Sequence, residues 1–148
     1  MSNKISIIIN HILTNLKLID GSTSTLDSKY TYQNNIHNNV FRQIKFFDEV
    51  NDFPSIYFQV GNEVRNYNTL GNTTGIIALT LRVYVNEEEA SEGLSSLLQD
   101  IEHVIYYMDT GVYSIRDIII SGVDTDDGLV KPYGIGEIEL TIEYELEN

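Results

Sequence analysis

The chain has 148 residues, enough for one domain with a proper core, and no cysteine, so a disulfide framework and a thiolate metal site are both excluded. Nine basic residues against 22 acidic ones leave a formal charge of −13, which argues against a phosphate-backbone binder and for a soluble protein that repels nucleic acid and suits a basic partner. No apolar run approaches the ~20 residues of a membrane span, and ten tyrosines without a tryptophan supply polar-tipped aromatics suited to sheets and interfaces.

Residues 3–19 predict the first helix. Ile5, Ile8, Ile9, Ile12, Leu13 and Leu16 recur at the spacing of one helical face. Asn10 and His11 interrupt the run, Lys4 is its one basic flank, and no small-residue cleavage site follows. The segment therefore reads as an amphipathic helix on a sheet, not a signal peptide. Gly21 is expected to cap it in a left-handed conformation. From Ser22 to Asn39 the chain is polar, with Asn34, Asn35, Asn38 and Asn39. It predicts an irregular excursion with a short extended piece around Tyr30–Tyr32, and an arm that could order on assembly.

Val40 to Phe47 alternates around Val40, Ile44 and Phe46 and could form a strand. After an acidic turn at Asp48 to Asp52 and the extending Pro54, Ile56, Phe58 and Val60 alternate with Ser55, Tyr57 and Gln59 as a half-buried strand. Residues 61–75, with Asn66, Asn68, Gly71 and Asn72, predict an extended hairpin loop whose contact residues are Arg65 and Tyr67.

The stretch Ile76–Met108 organises the chain. Ile77, Leu79, Leu81, Val83 and Val85 alternate with Ile76, Ala78, Thr80, Arg82 and Tyr84, giving one apolar strand face. Asn86 is expected as a helix N-cap, with Glu87, Glu88 and Glu89 in the first turn against the helix dipole. Ala90, Leu94, Leu97, Leu98, Ile101, Ile105 and Met108 then form one stripe of a helix about 33 Å long, which must lie across a sheet, while Glu88, Glu92, Gln99, Glu102 and His103 lie away from it. Asp109-Thr-Gly111 breaks the pattern. Ile115 to Val123 is the next strand, where consecutive Ile118, Ile119 and Ile120 predict that both faces are covered. After an Asp- and Gly-rich loop from Asp124 to Gly136, Ile138, Leu140, Ile142, Tyr144 and Leu146 alternate with Glu137, Glu139, Thr141, Glu143 and Glu145 in the last strand. The order predicts a single α+β domain over 1–148, with a mostly antiparallel sheet of four to five strands and two helices on one face.

Little in the chain reads as chemistry. Glutamates two apart on a strand face sit about 6.5–7 Å apart, near the separation of paired catalytic carboxylates. No cleft or electrophile accompanies them, so a solvated acidic face, or an acidic wall past which DNA or other subunits move, is the preferred reading. Asp124-Thr-Asp126-Asp127-Gly128 opens like a calcium loop, but its glycine stands at position 5 where an EF-hand needs 6, so a turn is expected. Gly134-Ile-Gly136 lacks the third glycine and the helix of a dinucleotide fingerprint. His11, His37 and His103 lack ligand spacing, and His11 and His103 read as surface or boundary residues. Gly93, inside the long helix, marks either a tolerated cost of about 1 kcal/mol or the close approach of another backbone.

The layout resembles that of the tail terminator proteins of long-tailed bacteriophages. The amphipathic helix Ile5–Leu16 carries the resemblance, with the strand led in by Asp52-Phe53-Pro54-Ser55-Ile56. A long loop then reaches a second strand running into an acid-started helix (Ile76–Met108), and a strand pair ending in Ile138–Tyr144 closes the chain. The resemblance implies a non-enzymatic, cofactor-free virion structural protein that forms a homo-oligomeric, hexameric ring. That ring would cap the tail tube protein, stop tube growth and offer a docking face to the head-completion or neck protein. DNA would pass through without specific binding, and no membrane would be involved. The location implied is the tail and neck region of the virion, and the host cytoplasm during assembly. In that frame Glu137, Glu139, Glu143 and Glu145, or Glu88 and Glu92 on the long helix, are expected to form an acidic pore or exposed face, and Arg65, Tyr67 and Tyr106 to contact subunits or partners. The alternatives are a neck ring protein, a small-ligand or peptide-binding α+β module, and an acidic hydrolase.

Overall fold

The two stretches of strictest alternation form the centre of the sheet. Strands β3 (Thr73–Asn86) and β5 (Tyr133–Leu146) pair antiparallel along their whole length, from Thr73 opposite Leu146 to Asn86 opposite Tyr133. The structure is a computed structural model and describes residues 4–43, 45–67, 73–111, 113–127 and 129–146. Strand β2 (Ser55–Tyr67) flanks β3 and β4 (Ile115–Thr125) flanks β5, both antiparallel, while β1 (Val40–Phe41) adds two residues parallel to β2. The spatial order is β1-β2-β3-β5-β4.

Alternation sends Ile77, Leu79, Leu81, Val83 and Val85 of β3, and Ile138, Leu140, Ile142 and Tyr144 of β5, to the same buried face. Helices α1 (Lys4–Leu16) and α2 (Ala90–Tyr107) close over it. Ile8, Ile9, Ile12 and Leu16 of the first join Leu94, Leu97, Ile101, Val104 and Ile105 of the second in one core. Each such side chain contributes roughly 1.5–3 kcal/mol through burial. The expected α+β architecture, with a mostly antiparallel sheet and both helices on one side, is the one observed. On the other face, a small second cluster gathers Val50, Tyr57 and Tyr84 under Phe41, Phe47, Phe53 and Ile135, and Tyr84 Oη donates to the Lys45 carbonyl at 3.0 Å.

Local expectations are corrected where neighbours outweigh pattern. Gly21 has the left-handed φ of +84°, but α1 ends at Leu16, so this glycine serves a later turn in which the Ser22 N–H donates to Asp20 Oδ1. The segment 22–39 is irregular in outline, yet Tyr32 and Ile36 enter the core and Thr23 bridges Thr31. The candidate strand at 40–47 is reduced to Val40–Phe41, followed by a short 3₁₀ turn at Phe47–Glu49.

The expected loop 61–75 is instead paired strand on both sides. β2 continues to Tyr67 through an irregularity between Val60 and Glu63, and its end pairs with Thr73–Ile77. Asn86 is the last residue of β3 rather than an N-cap. The chain bends through Glu87–Glu89, α2 starts at Ala90, and the Glu89 carbonyl accepts from the Gly93 N–H. Ile119 is exposed, contrary to the expectation of two covered faces, because it projects from β4 on the sheet face away from the helices. His103 is buried rather than at the surface. The expectations placed on Ile44, Asn68, Gly71, Asn72 and Gly128 lie outside the described residues.

Two glycines are fixed by what stands next to them. A Cβ at Gly134 would stand 2.7 Å from Val85 Cγ2 and 2.9 Å from Leu94 Cγ, so its bare backbone makes room for Leu94. A Cβ at Gly93 would stand 2.5 Å from the Glu87 carboxyl carbon, so it is a glutamate side chain, not a backbone, that approaches there.

Candidate functional site

The residues expected to act do not converge on a cleft. They divide between one open sheet face and two sheet edges. Residues paired across neighbouring strands share a face. By register, Glu137, Glu139, Glu143 and Glu145 lie with Arg82, Thr80, Ile76 and Thr74 on the face away from the helices. Asp117 and Asp124 of β4 pair with Glu143 and Glu137 and join the same face. Glu139, Glu145, Asp117 and Asp124 are exposed, and Glu137 and Glu143 are half-buried. Arg82 binds Glu137 in a salt bridge. The remaining carboxylates form a broad negative field on that face, which repels anions.

Glu88 and Glu92 are also exposed but stand at the start of α2, on the helix side of the sheet, so the structure separates them from the glutamate row. Asp124, read in sequence as part of a turn, belongs to β4. The turn proper is held by Asp126, whose Oδ1 accepts from the Ile135 N–H at 3.2 Å. Among the described residues no group of His, Asp or Glu is placed to hold a metal ion.

Arg65 and Tyr67 lie on the far half of β2, where Arg65 Nε donates to Glu63 Oε1 at 2.7 Å and Tyr67 is 77% exposed. Tyr106 is 81% exposed, in edge contact with Tyr107 on the last turns of α2. It lines an open groove of about 880 Å³ between α2 and β4, with Glu102, Tyr107, Ile118 and Ile120. Arg65 and Tyr67 are thus across the sheet from Tyr106, at the opposite edge. Sequence reasoning missed the apolar residues exposed along those edges: Val60 and Val64 on β2, Ile119 and Val123 on β4. Their alternation resembles that of any half-buried strand, and only strand order shows them uncovered.

It also missed a buried polar cluster beneath the excursion. Asp100, 0% exposed on α2, accepts from Tyr30 Oη at 2.6 Å, from the Asn34 N–H at 2.9 Å and from the Gln33 N–H at 3.1 Å. Burial, and then the bond to Asp100, pushes the Tyr30 phenol up to about 12. His103 stacks on the Tyr30 ring at 4.1 Å and meets Ser24 Oγ at 2.7 Å. Burial holds its imidazole below the usual value, against the pull of Asp27 and Asp100. The cluster faces inward and fastens the excursion to α2.

Comparison with known proteins finds relatives of the chain among the tail proteins of bacteriophages. The sequence model of a family described as "Bacteriophage Tail Tube Terminator Protein" matches residues 1–148. The tail tube terminator protein p142 of Escherichia phage T5 is 35% identical over 130 residues, covering 77% of this chain and 79% of that protein. A chain from the virion of a native gene transfer agent particle superposes with a TM-score of 0.47 at 8% identity, over 75% of this chain and 81% of that one.

Proposed function

The chain belongs to the bacteriophage tail tube terminator family, and from that premise we propose how it works. It closes into a hexameric ring on the last ring of tail tube protein, ends tube growth there, and presents its other side to the head-completion protein. It carries out no catalysis and needs no cofactor. It assembles in the host cytoplasm and remains in the virion tail. DNA passes through the ring without being bound.

The observation that carries the reading is the single acidic sheet face. Glu137, Glu139, Glu143 and Glu145 share it with Asp117 and Asp124, while the helices fill the opposite face. A ring that turns this face inward offers passing phosphates repulsion rather than counter-charges, so DNA slides without a binding free energy to overcome. The carboxylates of the face are spread along two strands, without the enclosed acid pair that hydrolysis needs. The exposed Arg65, Tyr67 and Tyr106 act at subunit and partner contacts, where arginine and tyrosine are enriched.

The test is to delete the protein from its phage and image the tails. Overlong tails are the expected result. Tails of normal length that fail to join heads would instead make it a neck protein.

A further inference from the structure

We propose that neighbouring subunits join by strand addition: the free edge of β2 in one copy pairs antiparallel with the β4 edge of the next. This rests on the ring reading above and specifies its interface. Strand β1 pairs only with Ile56 and Tyr57, so from Gln59 to Tyr67 the outer edge of β2 has no strand beside it among the described residues. Strand β4 ends the sheet on the other side. An uncovered edge bearing apolar side chains invites pairing, and folds that remain monomeric usually block it. Here both edges carry such side chains, with exposures of 43% at Val60, 56% at Val64, 49% at Ile119 and 48% at Val123.

Direction, register and face all point to a second copy as the occupant. Between the two edges every neighbouring pair of strands is antiparallel, in the order β2-β3-β5-β4, so β2 and β4 run in opposite directions. Copies related by rotation about an axis along the strands keep those directions. The β2 of one therefore meets the β4 of the next antiparallel, and the sheet continues across the boundary in the same sense. Contact of one edge with a different edge is the head-to-tail kind that closes rings.

The irregularity of β2, between Val60 and Glu63, also matches one of the two in β4, that between Ile120 and Gly122. Val60 and Val64 pair with Leu79 and Ile76, three rungs apart on β3, although four residues separate them. Ile119 and Val123 pair with Thr141 and Ile138, again three rungs for four residues. Placing Val64 opposite Ile119 therefore places Val60 opposite Val123. The faces agree as well, with the first pair on the acidic face and the second on the helix face. In this register Asn66 falls opposite Asp117 and Gln59 opposite Asp124, amide against carboxylate, and no like charges are opposed. Arg65 falls opposite Ile118, on the helix side, at the groove lined by Glu102 and Tyr106. A carboxylate and an aromatic face are both available to its guanidinium there. The extra residues, one in β2 and two in β4, add the twist that a closed, curved sheet requires.

The chain has no cysteine, so introduced thiols report cleanly. Tails are assembled in a phage lacking its own copy, supplied with V64C, I119C or the double variant, then oxidised and separated without reductant. Val60→Cys with Val123→Cys is the second pair. Hydrogen-bonded and non-hydrogen-bonded rungs alternate, and the two pairs lie three rungs apart, so one pair falls on the closer rung where a disulfide can form. The expected result is a ladder of covalent oligomers from at least one double variant, dimers and nothing larger from mixed single variants, and monomer from each single variant alone. Tails of normal length in which neither pair links overturn the proposal, as does linkage of I119C to itself, which would mean β4 against β4. The deletion phage separates this from the wider reading: deletion tails of normal length remove the terminator role, whereas normal tails with unlinked thiols remove only the edge pairing.

Discussion

His103 is the residue whose surroundings bear most directly on measurable behaviour. Buried against Tyr30 and Ser24, it favours the neutral imidazole, so the folded protein takes up its proton at lower pH than the unfolded chain does. Stability contributed by the neutral ring is therefore complete above the ordinary imidazole value of about 6.5 and declines as pH falls below it. Denaturation followed from about pH 8 to pH 5 should show this loss, and His103→Phe should flatten it. Equal pH dependence in the two proteins would remove His103 as the cause. In the alkaline range the sign reverses for Tyr30, whose raised value favours the protonated phenol. Its contribution is lost as pH rises from the ordinary tyrosine value towards about 12.

At the scale of elements, the excursion between α1 and β1 is fastened to α2 by a buried polar cluster. Asp100 accepts from two backbone N–H groups, the Tyr30 hydroxyl and the Asn34 amide, which offsets the cost of burying a carboxylate. Asp100→Ala would leave those donors facing a cavity. A loss of about 3 kcal/mol in urea unfolding is expected, since bonds to charged groups are worth roughly 1.5–3 kcal/mol and stranded donors add to the cost. Proteolysis should move to residues 20–36, because the cut would follow the released segment. A change below about 0.5 kcal/mol, the scale of an ordinary surface substitution, would contradict the account. The same packing explains why His103 is buried although its helical position lies off the apolar stripe: the excursion covers a second flank of α2.

For the whole molecule the decisive property is the row of carboxylates on the sheet face away from the helices. Glu139 is exposed and Glu143 half-buried on a strand whose other face is core, so lysine at both positions leaves the packing intact while weakening the negative field. On the proposed ring, phage carrying Glu139→Lys with Glu143→Lys should build tails of normal length but release DNA roughly tenfold or more slowly, because a face turned to the channel would repel phosphate less and offer it two lysines. Raising the salt should narrow the difference, since at 0.1 M surface charges are largely screened beyond about 10 Å and the range shortens further with added salt. Release followed by a DNA-binding dye checks this. An unchanged rate would place the face away from the channel.

What the sequence determined by itself was periodicity. A period of two at Ile77–Val85 and at Ile138–Tyr144, and a helical period at Ile8–Leu16 and Leu94–Ile105, were enough for the α+β class and its inner face, because burial is imposed residue by residue along an element. The acidic row was legible for the same reason. Strand order and the pairing of remote segments were decided only by tertiary structure. Gly61–Tyr67 reads as loop because it is polar, yet it is strand because β3 lies beside it; Ile119 reads as covered because it is apolar, yet it projects from the sheet face that the helices leave open. Asp117 and Asp124 join the glutamates through the register of β4 on β5, and Asp100 finds its donors some 66 to 70 residues earlier in the chain. Hydrogen bonds between remote segments leave no periodic trace in the sequence, so both the edges and the buried polar cluster became visible only in three dimensions.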